Sequence, residues 1–301
     1  MSDSIENSRF TIGSILTVCL RQDKLGALIR RRLKLLMVAV ALATAIVAVT
    51  LYFSLRDIPS VMIVNNRYPV VHFLGAGIPP AIEWIKSRPA SWVSLSEIPP
   101  TVVGAIVVSE DWAFYRHNGF DLKQIKEAVV ADWKAKRFVR GASTITQQTA
   151  RNLFLDKDKT LWRKLKELIL TLSMERRLKK KKILELYLNI AEWDRGLYGI
   201  GPASWHYFQK GVSALSPKEG AFLAMLLPSP RRYSLSYYHG KLTPHAEKTV
   251  ASILDKMVQA GYLTTEEADV AAHFPLPFEQ TIERITPESE PGEAPPPEEE
   301  L

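Results

Sequence analysis

The sequence predicts a mainly α-helical domain carried behind a single N-terminal transmembrane helix. Three observations lead there: an uncharged stretch of 21 residues from Leu35 to Leu55, a succession of helix-opening signals beyond residue 100, and no alternation of strand and helix patterns of the kind that builds a doubly wound sheet. With 301 residues, 47% hydrophobic and 24% charged, the chain has material for one large domain and is not a disordered polymer. Its one cysteine, Cys19, excludes an internal disulfide framework, and no Cys/His cluster has the spacing of a structural zinc site.

Residues 1–34 hold seven Lys/Arg against three Asp/Glu, a basic segment of net charge +4. The run 35–55 that follows spans roughly 31 Å as a helix, the thickness of a hydrocarbon core. Arg30, Arg31, Arg32 and Lys34 stand just before it, while Arg56 and Asp57 follow it. That asymmetry orients the N-terminus to the cytoplasm and the remainder to the outside. Residues 56–95 mix β-branched residues and prolines, as short strands or a membrane-proximal linker would. At the far end, 283–301 carries seven Glu and one Arg among many prolines, net −6, and is expected to be a disordered tail. Removing both ends from the total of +7 leaves +9 on the middle of the chain, which is where an anionic partner is met.

The predicted catalytic region, 96–282, is rich in helix signals. Asp121 is placed to cap a helix with the apolar stripe Leu122, Ile125, Val129 and Trp133. Leu161, Leu165, Leu168 and Leu172 form a second stripe. Ser216-Pro217-Lys218-Glu219 is a capping box with proline at the first helical position, Thr243-Pro244 opens another helix that ends near Gly261, and Thr264 to Glu267 is a second capping box.

The polar residues with chemical potential lie between 100 and 210. Val102 to Val108 is almost wholly apolar and ends abruptly in Ser109-Glu110-Asp111. A carboxylate at the lip of a buried segment is held rigidly, and partial desolvation raises its pKa toward that of a working general base. If the helix continues, Glu110, Phe114 and His117 share one face. Spacing alone also fits surface charges at a helix end. The stretch from Arg140 to Asn152 sets a glycine before hydroxyls, amides and a guanidinium, which suits phosphate oxygens and sugar hydroxyls but equally a polar loop entering a helix. Glu167 has Arg163 and Lys164 one turn before it, in reach of a pyrophosphate or metal through those cations or as an ordinary helical ion pair. Lys179 to Lys182 fits a solvated helix end or a contact with anionic lipid head groups.

Taken together, SEDWAFYRHNGFD (109–121), RGASTITQQTARNLFL (140–155), RKLKELILTLSMERRL (163–178), KKILELYLNIAEW (181–193) and GIGPASWHYFQK (199–210) resemble the five ordered motifs of the peptidoglycan glycosyltransferase family. That family has a lysozyme-like domain, which also forms the polymerising half of class A penicillin-binding proteins. The resemblance runs from roughly Pro99 to Pro230, and NIAEW followed by a glycine-rich loop is most similar to the monofunctional biosynthetic transglycosylases. It implies polymerisation of lipid II onto a growing lipid-linked glycan chain, with inversion at the donor anomeric carbon and release of undecaprenyl pyrophosphate. Carried over by motif, Glu110 would be the general base and Glu167 the second acidic residue, near the donor pyrophosphate. Phe114, His117, Thr144 and Gln148 would shape the cleft, with Asp111, Ser143, Gln147, Asn152, Arg163 and Lys164 completing the substrate-binding set. Arg151 and Lys159 match cationic positions at the leaving pyrophosphate, although the family pattern has lysine at the first and often arginine at the second. Both charges survive that exchange, but arginine's planar fork is not lysine's point charge.

By the same resemblance no cofactor is required, a divalent cation (Mg or Mn) is optional, and the location is the inner, or plasma, membrane. Cell-wall synthesis or division proteins would be partners beside the lipid substrates, whereas nucleic acid would not. Two other readings compete: a lytic enzyme of the same architecture, which would not need the cationic pyrophosphate environment, and a non-catalytic scaffold recruiting partners through its acidic tail.

Overall fold

The computed structural model describes residues 30–50, 52, 56, 58–135, 143–156 and 160–279. The basic segment before Arg30, the acidic tail, residues 140–142 and Lys159 lie outside the described residues. Two compact units divide the chain, residues 1–58 and 59–301.

The first unit contains α1 (Arg30–Thr50), 21 residues with a mean hydropathy of 2.3 in its most apolar window. It begins five residues ahead of the uncharged run, so Arg30, Arg31, Arg32 and Lys34 form its first turns. Helix α1 is long and apolar enough to cross a membrane, and none of that window is buried against protein.

The second unit is mostly helical. It opens with a 3-10 turn (Val61–Asn65) and an antiparallel hairpin, β1 (Tyr68–His72) and β2 (Ala81–Ile85), paired Tyr68↔Ile85 through His72↔Ala81. Residues 59–95 are therefore not a spacer but part of the domain. Trp84 stacks on Phe154 at 5.8 Å, Tyr68 meets Trp92 edge-on, and the Asn189 side chain bonds both the N–H and the C=O of Val93. Aromatic contacts of this kind hold a two-stranded hairpin that would be marginal alone.

Ten helices follow α2 (Pro100–Glu110) among the described residues: α3 (Leu122–Ala135), α4 (Ile145–Phe154), α5 (Leu161–Arg177), α6 (Lys180–Ile190), α7 (Ile200–Phe208), α8 (Pro217–Leu226), the single turns α9 (Pro230–Tyr233) and α10 (Leu235–Tyr238), α11 (Pro244–Gln259) and α12 (Thr265–His273). A second small ribbon, β3 (Glu192–Asp194) with β4 (Leu197–Tyr198), separates α6 from α7. Two helical layers matter for the site. Helix α2 is buried from Val102 to Val108 between α8 and α11; Gly220 lets the α8 backbone come so near that an added Cβ would lie 3.0 Å from Val102 Cα. Helix α4 packs between α5 and α6.

The capping signals at Ser216, Thr243 and Thr264 all act as predicted, each side chain accepting from the backbone N–H three residues on, and Asp121 accepts from Lys123 and Gln124. The stripes do not. Leu161 is 92% exposed, Leu168 and Leu172 are exposed, and α5 instead buries Glu167, Leu170, Thr171 and Met174 against α4 and the Val61–Asn65 turn. On α3, Leu122 is 77% exposed, so that stripe does not face a core at its start; the side chains of Val129 and Trp133 lie outside the described residues. Each reversal has one cause: periodicity shows that a helix has two faces, and the partners decide which is covered.

Candidate active site

Helix α2 is apolar throughout its middle and stops at Glu110, with Asp111 as its C-cap. The helix does not continue, so Glu110, Phe114 and His117 are not one helical face. Asp111 turns inward and is fully buried, accepting from the Ile145 N–H at 3.0 Å and from His117 Nε2 at 2.8 Å. His117 Nδ1 in turn accepts from the Gly119 N–H at 3.1 Å, which fixes the proton on Nε2. Phe114 is buried beneath this loop, with the Lys180 ammonium 4.5 Å from its ring centroid. Lys180 also pairs with Glu175 at 2.8 Å, and Glu175 accepts from the Thr146 hydroxyl.

Helix α4 is started by Thr144, whose side chain accepts from the Gln147 N–H while the Gln147 side chain accepts from the Thr144 N–H. The Thr144 hydroxyl donates to Gly119 O at 2.7 Å, tying α4 to the loop after Glu110. Asp111 and Thr144, expected to meet substrate, therefore spend their side-chain oxygens inside the protein, as Gln147 does with Oε1; Phe114 and His117 likewise brace the loop. One turn further, Gln148 Nε2 donates to Glu110 Oε2 at 2.8 Å. Its amide oxygen accepts from the Tyr187 hydroxyl at 3.3 Å, and the Ser143 carbonyl lies 3.5 Å from Nε2. Burial raises the Glu110 pKa above the ordinary carboxylate value; the Gln148 hydrogen bond opposes this, the Asp111 charge adds to it, and the Tyr187 hydroxyl and then the Arg151 charge oppose it. The carboxylate is thus poised to take a proton at a higher pH than a solvated one.

Glu167 is fully buried on α5, with one oxygen 2.8 Å from Arg163 and the other on Lys164. Its charge is neutralised by its own helix, and that allows a carboxylate to occupy a buried position.

A cavity of about 830 Å³ lies beside these helices. One wall is the hairpin, with Val71, Ile82 and Trp84; the other carries Arg151, Asn152, Arg163, Glu192 and Tyr198. Three of the predicted substrate residues, Arg151, Asn152 and Arg163, thus meet at one surface, with Glu167 behind Arg163. Neither glutamate lines the cavity, but the Arg151 charge reaches Glu110 from its rim. Arg163 Nε has no hydrogen-bond partner among the described residues, leaving a buried donor unspent on a guanidinium that lines the space. An apolar wall opposite two guanidinium groups fits an amphiphile with an anionic head. Among the described residues no group of three or more His, Cys, Asp or Glu side chains is placed to hold a metal ion.

Two contributors were not legible in the sequence. Tyr187 lies inside the motif KKILELYLNIAEW with nothing in the sequence to single it out, and the hairpin wall falls in the stretch with mixed signals.

The sequence profile of the family described as Transglycosylase matches residues 80–258. A Shewanella denitrificans protein named biosynthetic peptidoglycan transglycosylase is 47% identical over 176 residues, covering 58% of this chain and 75% of its own. A protein of the same name from Nitrosospira multiformis is 40% identical over 169 residues, 56% and 72% of the respective chains. Penicillin-binding protein 1A of Aquifex aeolicus is 42% identical over 185 residues, 62% of this chain, which spans about a quarter of that longer relative (25%).

Proposed function

The chain belongs to the transglycosylase family, and from that premise we propose that it polymerises lipid II into glycan strands at the outer face of the inner membrane, anchored by α1 with its N-terminus in the cytoplasm. The observation that carries the proposal is Glu110: a desolvated carboxylate at the rigid end of a buried helix, held by Gln148 and facing the charge of Arg151. In this reading the 4-hydroxyl of the acceptor sugar attacks the donor anomeric carbon as Glu110 takes its proton. The new O4–C1 bond forms, the C1–O bond to pyrophosphate breaks with inversion, and undecaprenyl pyrophosphate leaves as an anion. A positioned base of this kind contributes about 10²–10⁴-fold.

The leaving group is met by cations. Arg151 and Arg163 supply them at the cavity wall, with Glu167 holding Arg163 and Lys164 in place rather than touching the sugar. Because both Glu167 oxygens already carry a cationic partner, a divalent cation would come with the pyrophosphate and not displace them. The cationic wall favours transfer from a pyrophosphate over cleavage of a finished glycan, which has no such leaving group.

The test uses the purified full chain and labelled lipid II, with products resolved by length. Wild type is expected to give long, lysozyme-sensitive polymer and folded Glu110→Gln to give none. Near-normal turnover in that variant refutes the base assignment, and shortened glycan without polymer would instead favour the lytic reading.

A further inference from the structure

We infer that Tyr187 is a positioning residue for this reaction: its hydroxyl fixes the orientation of the Gln148 amide so that Nε2, and not the amide oxygen, faces Glu110. The inference rests on Glu110 being the base.

The chain of contacts runs across the α4–α6 interface. The Tyr187 hydroxyl donates to Gln148 Oε1 at 3.3 Å, and Gln148 Nε2 donates to Glu110 Oε2 at 2.8 Å. A side-chain amide has one donating and one accepting end, and its two orientations are nearly equal in shape. Turned over, Gln148 would set its oxygen against the Glu110 carboxylate, two acceptors in hydrogen-bond range with no proton between them. The Ser143 carbonyl, 3.5 Å from Nε2, disfavours that turn weakly, and the Tyr187 hydroxyl opposes it from the far side by donating to Oε1. The donor is permanent, because burial, and then the Glu110 charge, hold the phenol pKa well above its ordinary value. Tyr187 is itself almost fully buried, and its ring therefore cannot swing away to solvent.

Other groups bear on Glu110 from the elements packed about it: Asp111 at the end of α2, Arg151 on α4 and Tyr187 on α6. Asp111 and Arg151 oppose each other in sign and are untouched by a Tyr187 variant, and the change expected from that variant is therefore the loss of the oriented donor together with the direct influence of the Tyr187 hydroxyl on Glu110.

The experiment is the pH–rate profile of lipid II polymerisation for wild type, Tyr187→Phe, Gln148→Ala and the double variant, with Glu110→Gln alongside and a melting temperature for each. Tyr187→Phe keeps the ring and hence the packing. Losing one oriented hydrogen bond to a carboxylate is expected to move the acid limb up by about one pH unit and to lower kcat about tenfold. In the Gln148→Ala background the same substitution should have a smaller effect on both, what remains being the direct influence of the Tyr187 hydroxyl on Glu110. A Tyr187→Phe profile that coincides with wild type overturns the inference, as does a fall in kcat that tracks a fall in melting temperature with the pH limb unmoved. An undiminished Tyr187→Phe effect in the Gln148→Ala background overturns it too. The two levels of the reading separate cleanly: turnover retained by Glu110→Gln removes the base and Tyr187's role with it, whereas an inactive Glu110→Gln beside an unaltered Tyr187→Phe removes Tyr187's role alone.

Discussion

Asp111 offers a sharp distinction between a residue that touches substrate and one that builds the site. Both of its oxygens face donors: the Ile145 N–H at 3.0 Å and His117 Nε2, which must carry the proton because Nδ1 already accepts from Gly119. Asparagine has the same shape but one acceptor and one donor. Asp111→Asn therefore leaves an N–H pointing at an N–H, whichever way the amide turns. His117 has no escape through its other tautomer, since that would set a second donor against Gly119. Hydrogen bonds to a charged partner are worth about 1.5–3 kcal/mol, and the site is fully buried, so the substitution should cost about 2 kcal/mol. For a domain of this size that is a fall in melting temperature of about 4–8 °C. Thermal unfolding of the detergent-solubilised chain, followed by circular dichroism, measures it. The rate should fall as well, through displacement of the adjacent Glu110, with little change in KM. An unchanged melting temperature with a raised KM for lipid II would show that Asp111 meets substrate, and the structural account would be wrong.

Other substitutions probe the remaining features. Because burial raises the folded-state pKa of Glu110, its ionisation opposes folding as pH rises through that value; Glu110→Gln should thus melt at or above the wild-type temperature at pH 7, the gap closing by pH 4. A variant less stable than wild type at pH 7 contradicts this. On α5, Leu170→Ala should cost about 2–5 kcal/mol and Leu161→Ala under about 0.5 kcal/mol, despite the regular leucine spacing that includes Leu161, and urea titration of both tests the assignment of faces. Gly104→Ala would drive a methyl group into the Tyr262 ring and should cost about 1–3 kcal/mol; an unaltered unfolding midpoint would mean that the α2–Tyr262 contact is looser than it stands.

What sequence alone made legible was local or compositional. The caps at Ser216, Thr243 and Thr264 are contacts between residues three apart, so contiguous chain suffices to specify them. The length and apolarity of α1 are likewise properties of a contiguous segment, and five ordered motifs were enough to indicate the family. The burial of α2 followed from its unbroken apolar run, and with it the setting of Glu110. Tertiary structure decided the rest. Leu161, Leu165, Leu168 and Leu172 read as a core stripe, yet α5 turns Glu167, Leu170 and Met174 inward because α4 and the Val61–Asn65 turn cover that side. Residues 59–95 carry no clear period, and only contacts such as Trp84 on Phe154 and Asn189 on Val93 make them a cavity wall. The family resemblance sets Asp111 and Thr144 in the substrate-binding set; the partners that hold their oxygens inside the protein, Ile145 and Gly119, lie 34 and 25 residues away. Hydrogen-bond commitment and desolvation depend on which distant segments meet, and a one-dimensional pattern carries no record of that meeting.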